Sequence, residues 1–171
     1  MNTNYSYVNA PAHPGMIADQ APRYVVARIL DEDAQFGIAA IFGATPGKTI
    51  KKPATGATGA KVEGVILNHG TTEHQHPSGE VALKKGTTCS VMTYGTVWVR
   101  VETDIEPEYG DACKVLISGN EAGYFTTADT EGTAVDISGI FLGAAENGIA
   151  KVKLFDAAAP TPVTTSDKGT G

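Results

Sequence analysis

Three histidines, His69, His74 and His76, fall within eight residues, with Glu73 and Glu80 beside them. Imidazoles and carboxylates so placed are zinc-type ligands. In extended backbone His74 and His76 project to the same side, where two imidazoles could share one metal. The two cysteines, Cys89 and Cys113, lie in apolar strand contexts with no CxxC spacing, which reads as a pair of buried reduced thiols on neighbouring strands. The acidic pairs Asp31/Asp33 and Glu106/Glu108 have the chemistry to hold calcium or to act as acid and base, but both fall in turns, where carboxylates solvate and set the bend. No GxSxG, SxxK, GxxxxGK[ST] or GxGxxG pattern occurs, so the chain carries no nucleophile elbow and no phosphate cradle.

Gly70, His74-Gln75-His76, Glu80 and Gly86 resemble the first metal motif of cupins, which are all-β enzymes and binders. Three residues separate Gly70 from His74 where cupins place five, and no histidine follows His76 to supply the second motif. One reading is therefore a cupin-like metal-binding protein or enzyme using His69, His74 and His76. The simpler reading is a polar surface loop over 68–79, turned by Pro77-Ser78-Gly79, with no cofactor.

The charge balance bears on partners. Thirteen Lys and Arg against 19 Asp and Glu give a net charge of -6, which repels a polyphosphate, so nucleic acid is not an expected partner. No apolar run reaches the roughly 18 residues of a membrane helix, and the start has neither the basic nor the apolar part of a signal peptide, so synthesis in a cytoplasm is expected.

The elements that must position these groups are short strands. Glycine accounts for 20 of 171 residues and charged residues for only 19%, the balance of a turn-rich all-β protein. Runs over 24–30, 36–42, 61–69, 88–93, 96–103, 112–118, 124–127, 134–142 and 149–155 are β-rich and bounded by Gly, Pro or Asn. Val97, Val99 and Val101 alternate with Trp98, Arg100 and Glu102, the two-residue period of a half-buried strand. Ala150, Val152 and Leu154 alternate in the same way with Lys151 and Lys153. Such spacing predicts a compact β-barrel or β-sandwich of antiparallel strands over 23–155, interrupted by a long exposed loop at 44–60 that Lys48, Lys51, Lys52 and Lys61 make locally basic. Residues 1–22, with Pro11, Pro14 and Pro22, read as an extended N-terminal arm, and 156–171, rich in Ala, Pro, Thr and Gly, as a disordered C-terminal tail.

An arm with spaced anchors can order by lying across a neighbouring molecule, and Tyr5, Tyr7, Val8, Met16 and Ile17 are those anchors. Trp98, beside Arg100, is either core in a second sheet or the centre of an interface. Open sheet edges offer unpaired donors and acceptors for assembly.

Several segments together resemble the capsid cement, or decoration, proteins of tailed bacteriophages. These are Gly15-Met16-Ile17-Ala18-Asp19-Gln20-Ala21-Pro22-Arg23, Phe36-Gly37-Ile38-Ala39, Gly86 before a strand, Tyr94-Gly95-Thr96-Val97-Trp98-Val99, Pro107-Glu108-Tyr109-Gly110-Asp111, Ile140-Phe141-Leu142 and Gly148-Ile149-Ala150-Lys151-Val152. The resemblance spans most of 8–155. It implies a virion protein without catalytic function, made in the host bacterial cytoplasm, that binds the outer capsid surface and stabilises the head by linking subunits of the major capsid protein. It also implies self-association, as a homotrimer first and a dimer next. A module that binds host glycans is a third reading.

Overall fold

A computed structural model of the chain describes residues 12–68, 74–75, 81–129 and 132–155. Twelve strands run through them: β1 Tyr24–Leu30, β2 Ala34–Gln35, β3 Ala39–Phe42, β4 Thr49–Lys51, β5 Val62–Ile66, β6 His74–Gln75, β7 Val81–Leu83, β8 Thr88–Arg100, β9 Ala112–Leu116, β10 Phe125–Thr126, β11 Ala134–Phe141 and β12 Ile149–Leu154. The fold is all-β, and one strand organises it.

The first seven residues of β8 belong to a closed five-stranded barrel in the order β1-β4-β3-β5-β8, which returns to its start because β1 also pairs with β8. The second part of β8 opens another sheet, β8-β12-β11-β9-β10, whose last strand is brought back to the end of β8 by a bridge between Phe125 and Val101. A small sheet, β2-β7-β6, is hydrogen-bonded separately, but its Ala34 and Leu83 pack into the barrel cluster. All strand pairs are antiparallel except β1 with β4, where Ile29 faces Thr49 and Leu30 faces Ile50.

Tyr94-Gly95 reads in sequence as the end of a strand, yet β8 passes straight through it. Gly95 adopts φ +125°, open to glycine and disfavoured for other residues, so the strand redirects there without breaking. The partner also slips: Tyr24 faces Tyr94 while Val25 faces Met92, which leaves Thr93 as the extra residue of a bulge. A bend of this kind lets one strand serve two sheets.

Two large apolar clusters make the core, and the second also takes in Ala39, Val65 and Met92 from the barrel strands. Leu30, Ile38, Ile50, Ile66, Leu83, Cys89 and Val91 fill the barrel, and Val97, Val99, Cys113, Val115, Phe125, Phe141, Ala150 and Val152 fill the space under the second sheet. The alternations of β8 and β12 hold in three dimensions, for Val97, Val99, Ala150 and Val152 are fully buried. At about 1.5–3 kcal/mol for each large side chain taken from water, these clusters supply the main driving force of folding.

The stretch at 44–60 is not one exposed loop. It contains β4, the strand that closes the barrel, and Ile50 within it is completely buried. A three-residue strand, Thr49-Ile50-Lys51, has too little length to show a period. The turn before it is held by Asp31, whose carboxylate accepts the Ala44 N–H at 2.6 Å and the Thr49 hydroxyl at 2.9 Å. These two bonds hold its pKa below the ordinary 3.8. A pKa lowered by folding contributes stability above the unfolded value and loses it as pH falls through the native one. Asp31→Asn therefore lowers the melting temperature at pH 7, and the gap to the parent closes as pH drops below 3.8. A gap that stays constant down to pH 2 would show that the charge does not hold this turn.

Candidate functional site

The nucleophile and metal readings find no support among the described residues. Cys89 and Cys113 are buried in separate clusters, and burial pushes their thiols up to about 11 and about 12, so neither is a thiolate near neutrality. They are not on neighbouring strands, because β12 and β11 separate β8 from β9. Among the described residues no three His, Cys, Asp or Glu side chains gather as a metal site. His69 and His76 lie outside those residues, and of His74 only its backbone place in β6, paired with Ala82 of β7, is described. Asp33 accepts the Lys85 N–H and pairs with Lys84 at 2.8 Å, while Asp111 accepts the Glu108 N–H, so these carboxylates set turns.

Surface features stand out instead. Trp98 and Arg100 share the outer face of β8, since the alternation that buries Val97 and Val99 turns them outward. Trp98 is half-buried and sits opposite Lys151, whose ammonium lies 5.3 Å from the ring centroid. One step along, Lys153 lies 5.5 Å from the ring of Phe155, itself 37% exposed. The Arg100 Nε donates to the Phe36 carbonyl at 3.0 Å, which fixes the guanidinium stem.

The root of the N-terminal arm completes this face. Gly15 donates its N–H to the Trp98 carbonyl at 2.7 Å, Trp98 returns an N–H to Met16, and Ala18 donates to Thr96. Residues 15–18 thus line the edge of β8 just where β1 leaves it. Ile17 forms a bridge with Val97 and packs on the second cluster, whereas Met16 is exposed. Tyr5, Tyr7 and Val8 lie outside the described residues.

Two glycines lock this root. Gly15 has φ +79° and approaches so closely that a Cβ there would stand 2.7 Å from the Asn68 nitrogen and 2.8 Å from the Ile66 carbonyl oxygen. Gly37, at φ +75°, would place a Cβ 2.7 Å from the Pro14 Cβ. No sequence pattern announces this contact, for the two glycines are 22 residues apart and meet only in the closed fold.

A strand shared between barrel and curled sheet, an aromatic and lysine face, and residues 15–18 laid along a sheet edge are the features that stand out, and no catalytic geometry is found among the described residues. The comparisons specify the class. Residues 1–155 match the family model described as structural cement protein (E217 gp24/Pam3 gp6), and the chain belongs to that family of bacteriophage structural proteins. Among solved structures it is similar to a chain of the capsid of Myoviridae phage XM1, at 17% identity and a TM-score of 0.69, covering 90% of this chain and 98% of that one. That likeness establishes the fold. The head fiber gp8.5 N base of bacteriophage phi29 matches at 12% identity over 78% of this chain and 95% of that one, with a TM-score of 0.38 that carries no argument. No curated protein matches. The family and the fold together support a structural role in the phage capsid.

Proposed function

We propose that this protein binds the outer surface of a phage head and cements adjacent subunits of the major capsid protein, stabilising the mature shell. Family membership over residues 1–155 carries the reading. The geometry supports a mechanism for it. The β-domain sits over a junction between capsid subunits, while the arm, with Tyr5, Tyr7, Val8 and exposed Met16, lies along a neighbour. Because residues 15–18 are fixed to β8, an arm that grips one subunit is tied rigidly to a domain that sits on another. Force that separates the subunits must then break both contacts at once. Self-association, as the trimer or the dimer, multiplies the attachments.

The mechanism locates the useful truncation. Removing residues 1–11 leaves the strand-like root in place, whereas a cut beyond Ala18 would uncover the edge of β8. Deletion of 1–11 is expected to lower occupancy on heads by about tenfold or more while the melting temperature of the free protein stays unchanged. Full occupancy by the truncated protein, counted on purified particles, would reject the arm mechanism.

A further inference from the structure

Between β8 and β9 the chain carries Glu102, Asp104, Glu106, Glu108 and Asp111, and residues 101–113 hold no lysine or arginine. Glu102, Asp104 and Glu106 line an acidic cleft of about 630 Å³ with Glu121. Asp104, Glu106 and Glu108 are exposed, and none of them forms an ion pair among the described residues. The segment ends in the turn Glu108-Tyr109-Gly110-Asp111. Tyr109 is 76% exposed, the most open large hydrophobic side chain among the described residues, and it joins none of the apolar clusters. The backbone beneath it is fixed all the same. Asp111 donates its N–H to the Glu108 carbonyl at 3.2 Å, and its carboxylate accepts the Glu108 N–H at 2.8 Å. Gly110 supplies a φ of +96°, which glycine adopts without strain. Gly110 and Asp111 are also tied to the main chain of Phe141, a completely buried residue, by bonds of 2.9 and 2.8 Å. A tyrosine that the core does not use is thus held out on a rigid support.

We propose, resting on the capsid reading above, that Tyr109 is a docking knob that inserts into an apolar slot with a basic rim on a subunit of the shell. Tyrosine brings a large apolar ring and a phenol that finds a hydrogen-bond partner when buried. Its backbone is already ordered, so seating it costs little conformational freedom, and fixed aromatic anchors of this kind dominate the energetics of interfaces. The acids decide the sign of the rim. Asp104, Glu106 and Glu108 repel an acidic surface, whereas lysines or arginines around the slot would complement them.

Binding of the purified full chain to heads that lack it tests this docking. Tyr109→Ala is expected to bind on the order of 30-fold more weakly, the loss typical of a central aromatic anchor. Its melting temperature should not change, because the ring lies outside the core. Tyr109→Phe keeps the ring and should lose less than about tenfold. Glu106→Gln/Glu108→Gln leaves the bonds of the turn intact, since neither carboxylate takes part in them. That variant should associate about tenfold more slowly at low salt and match the parent near 1 M, where screening acts within ~3 Å. A Tyr109→Ala protein that binds like the parent, or an acid variant that associates as fast at low salt, would overturn the proposal. So would loss of self-association in Tyr109→Ala with head binding intact, which would assign the turn to a second copy of the chain. A parent that does not bind heads sinks the capsid reading and this docking together, whereas a parent that binds with an indifferent Tyr109 sinks the docking alone.

Discussion

Gly15→Ala is expected to destabilise the protein by roughly 2–5 kcal/mol, the sum of placing a side chain at positive φ and forcing a methyl group into packed backbone. The atoms it would meet, the Asn68 nitrogen and the Ile66 carbonyl oxygen, are main chain and cannot swing aside. Against a total stability of about 5–15 kcal/mol, the loss is a large fraction, and the melting temperature should fall by about 5–15 °C. Gly86→Ala is the control. Gly86 also has positive φ, at +84°, but nothing lies within 4 Å of an added Cβ, so it reports the backbone term alone. Thermal melts of the two variants separate the contributions. Amide exchange adds a local readout, since the Trp98 N–H is protected by Met16 and should exchange faster when the root is forced away. Equal melts for the two variants, with Trp98 still protected, would mean that the root is not locked.

A comparable loss is expected at Arg28. Its guanidinium pairs with Glu63, whose side chain is only 7% exposed, through both Nε and a terminal nitrogen. One Glu63 oxygen, Oε2, has no hydrogen-bond partner among the described residues. The pair is therefore incompletely compensated even in the native protein. Arg28→Ala strands a buried carboxylate and should cost about 3–5 kcal/mol, whereas replacing both partners by apolar residues of similar size should recover most of that or exceed the parent. Chemical denaturation of Arg28→Ala, Glu63→Leu and Arg28→Met/Glu63→Leu decides it. If the double variant is as unstable as Arg28→Ala alone, the pair is a net stabiliser and the desolvation argument fails.

Much of this fold is legible in the sequence because alternation survives wherever one face of a strand is buried. Val97, Val99 and Val101 announce the second half of β8, and Ala150, Val152 and Leu154 announce β12. Tyr24–Leu30 emerges with its bounds intact. What escapes is set by distant contacts. β4 is three residues with one apolar side chain, and only pairing with β1 and β3 makes Ile50 a core residue. Gly95 looks like an ending because a glycine after a tyrosine is the usual mark of a turn, and the strand continues only because β12 and residues 15–18 receive it.

The candidate site divides along the same line. Trp98 and Arg100 can be found from their place opposite the valines. Their neighbours cannot, because Lys151 reaches Trp98 across a strand pair and the acidic cleft assembles Glu102, Asp104 and Glu106 with Glu121 from another turn. The open sheet edges expected for assembly are largely taken up within the chain: the barrel closes, and residues 15–18 cover β8. Under the proposed function, docking then falls to side chains on strand faces and turns and to residues 1–11.

Bridging of shell subunits, the proposed function, is tested by electron microscopy of heads assembled with the chain, without it, and with purified protein added back. Density for the β-domain is expected on the outer surface across subunit junctions, absent without the chain and restored on addition, together with restored resistance of the heads to disruption by heat. Density confined to the interior of single subunits, or none at all on heads that are equally robust in all three samples, would contradict it.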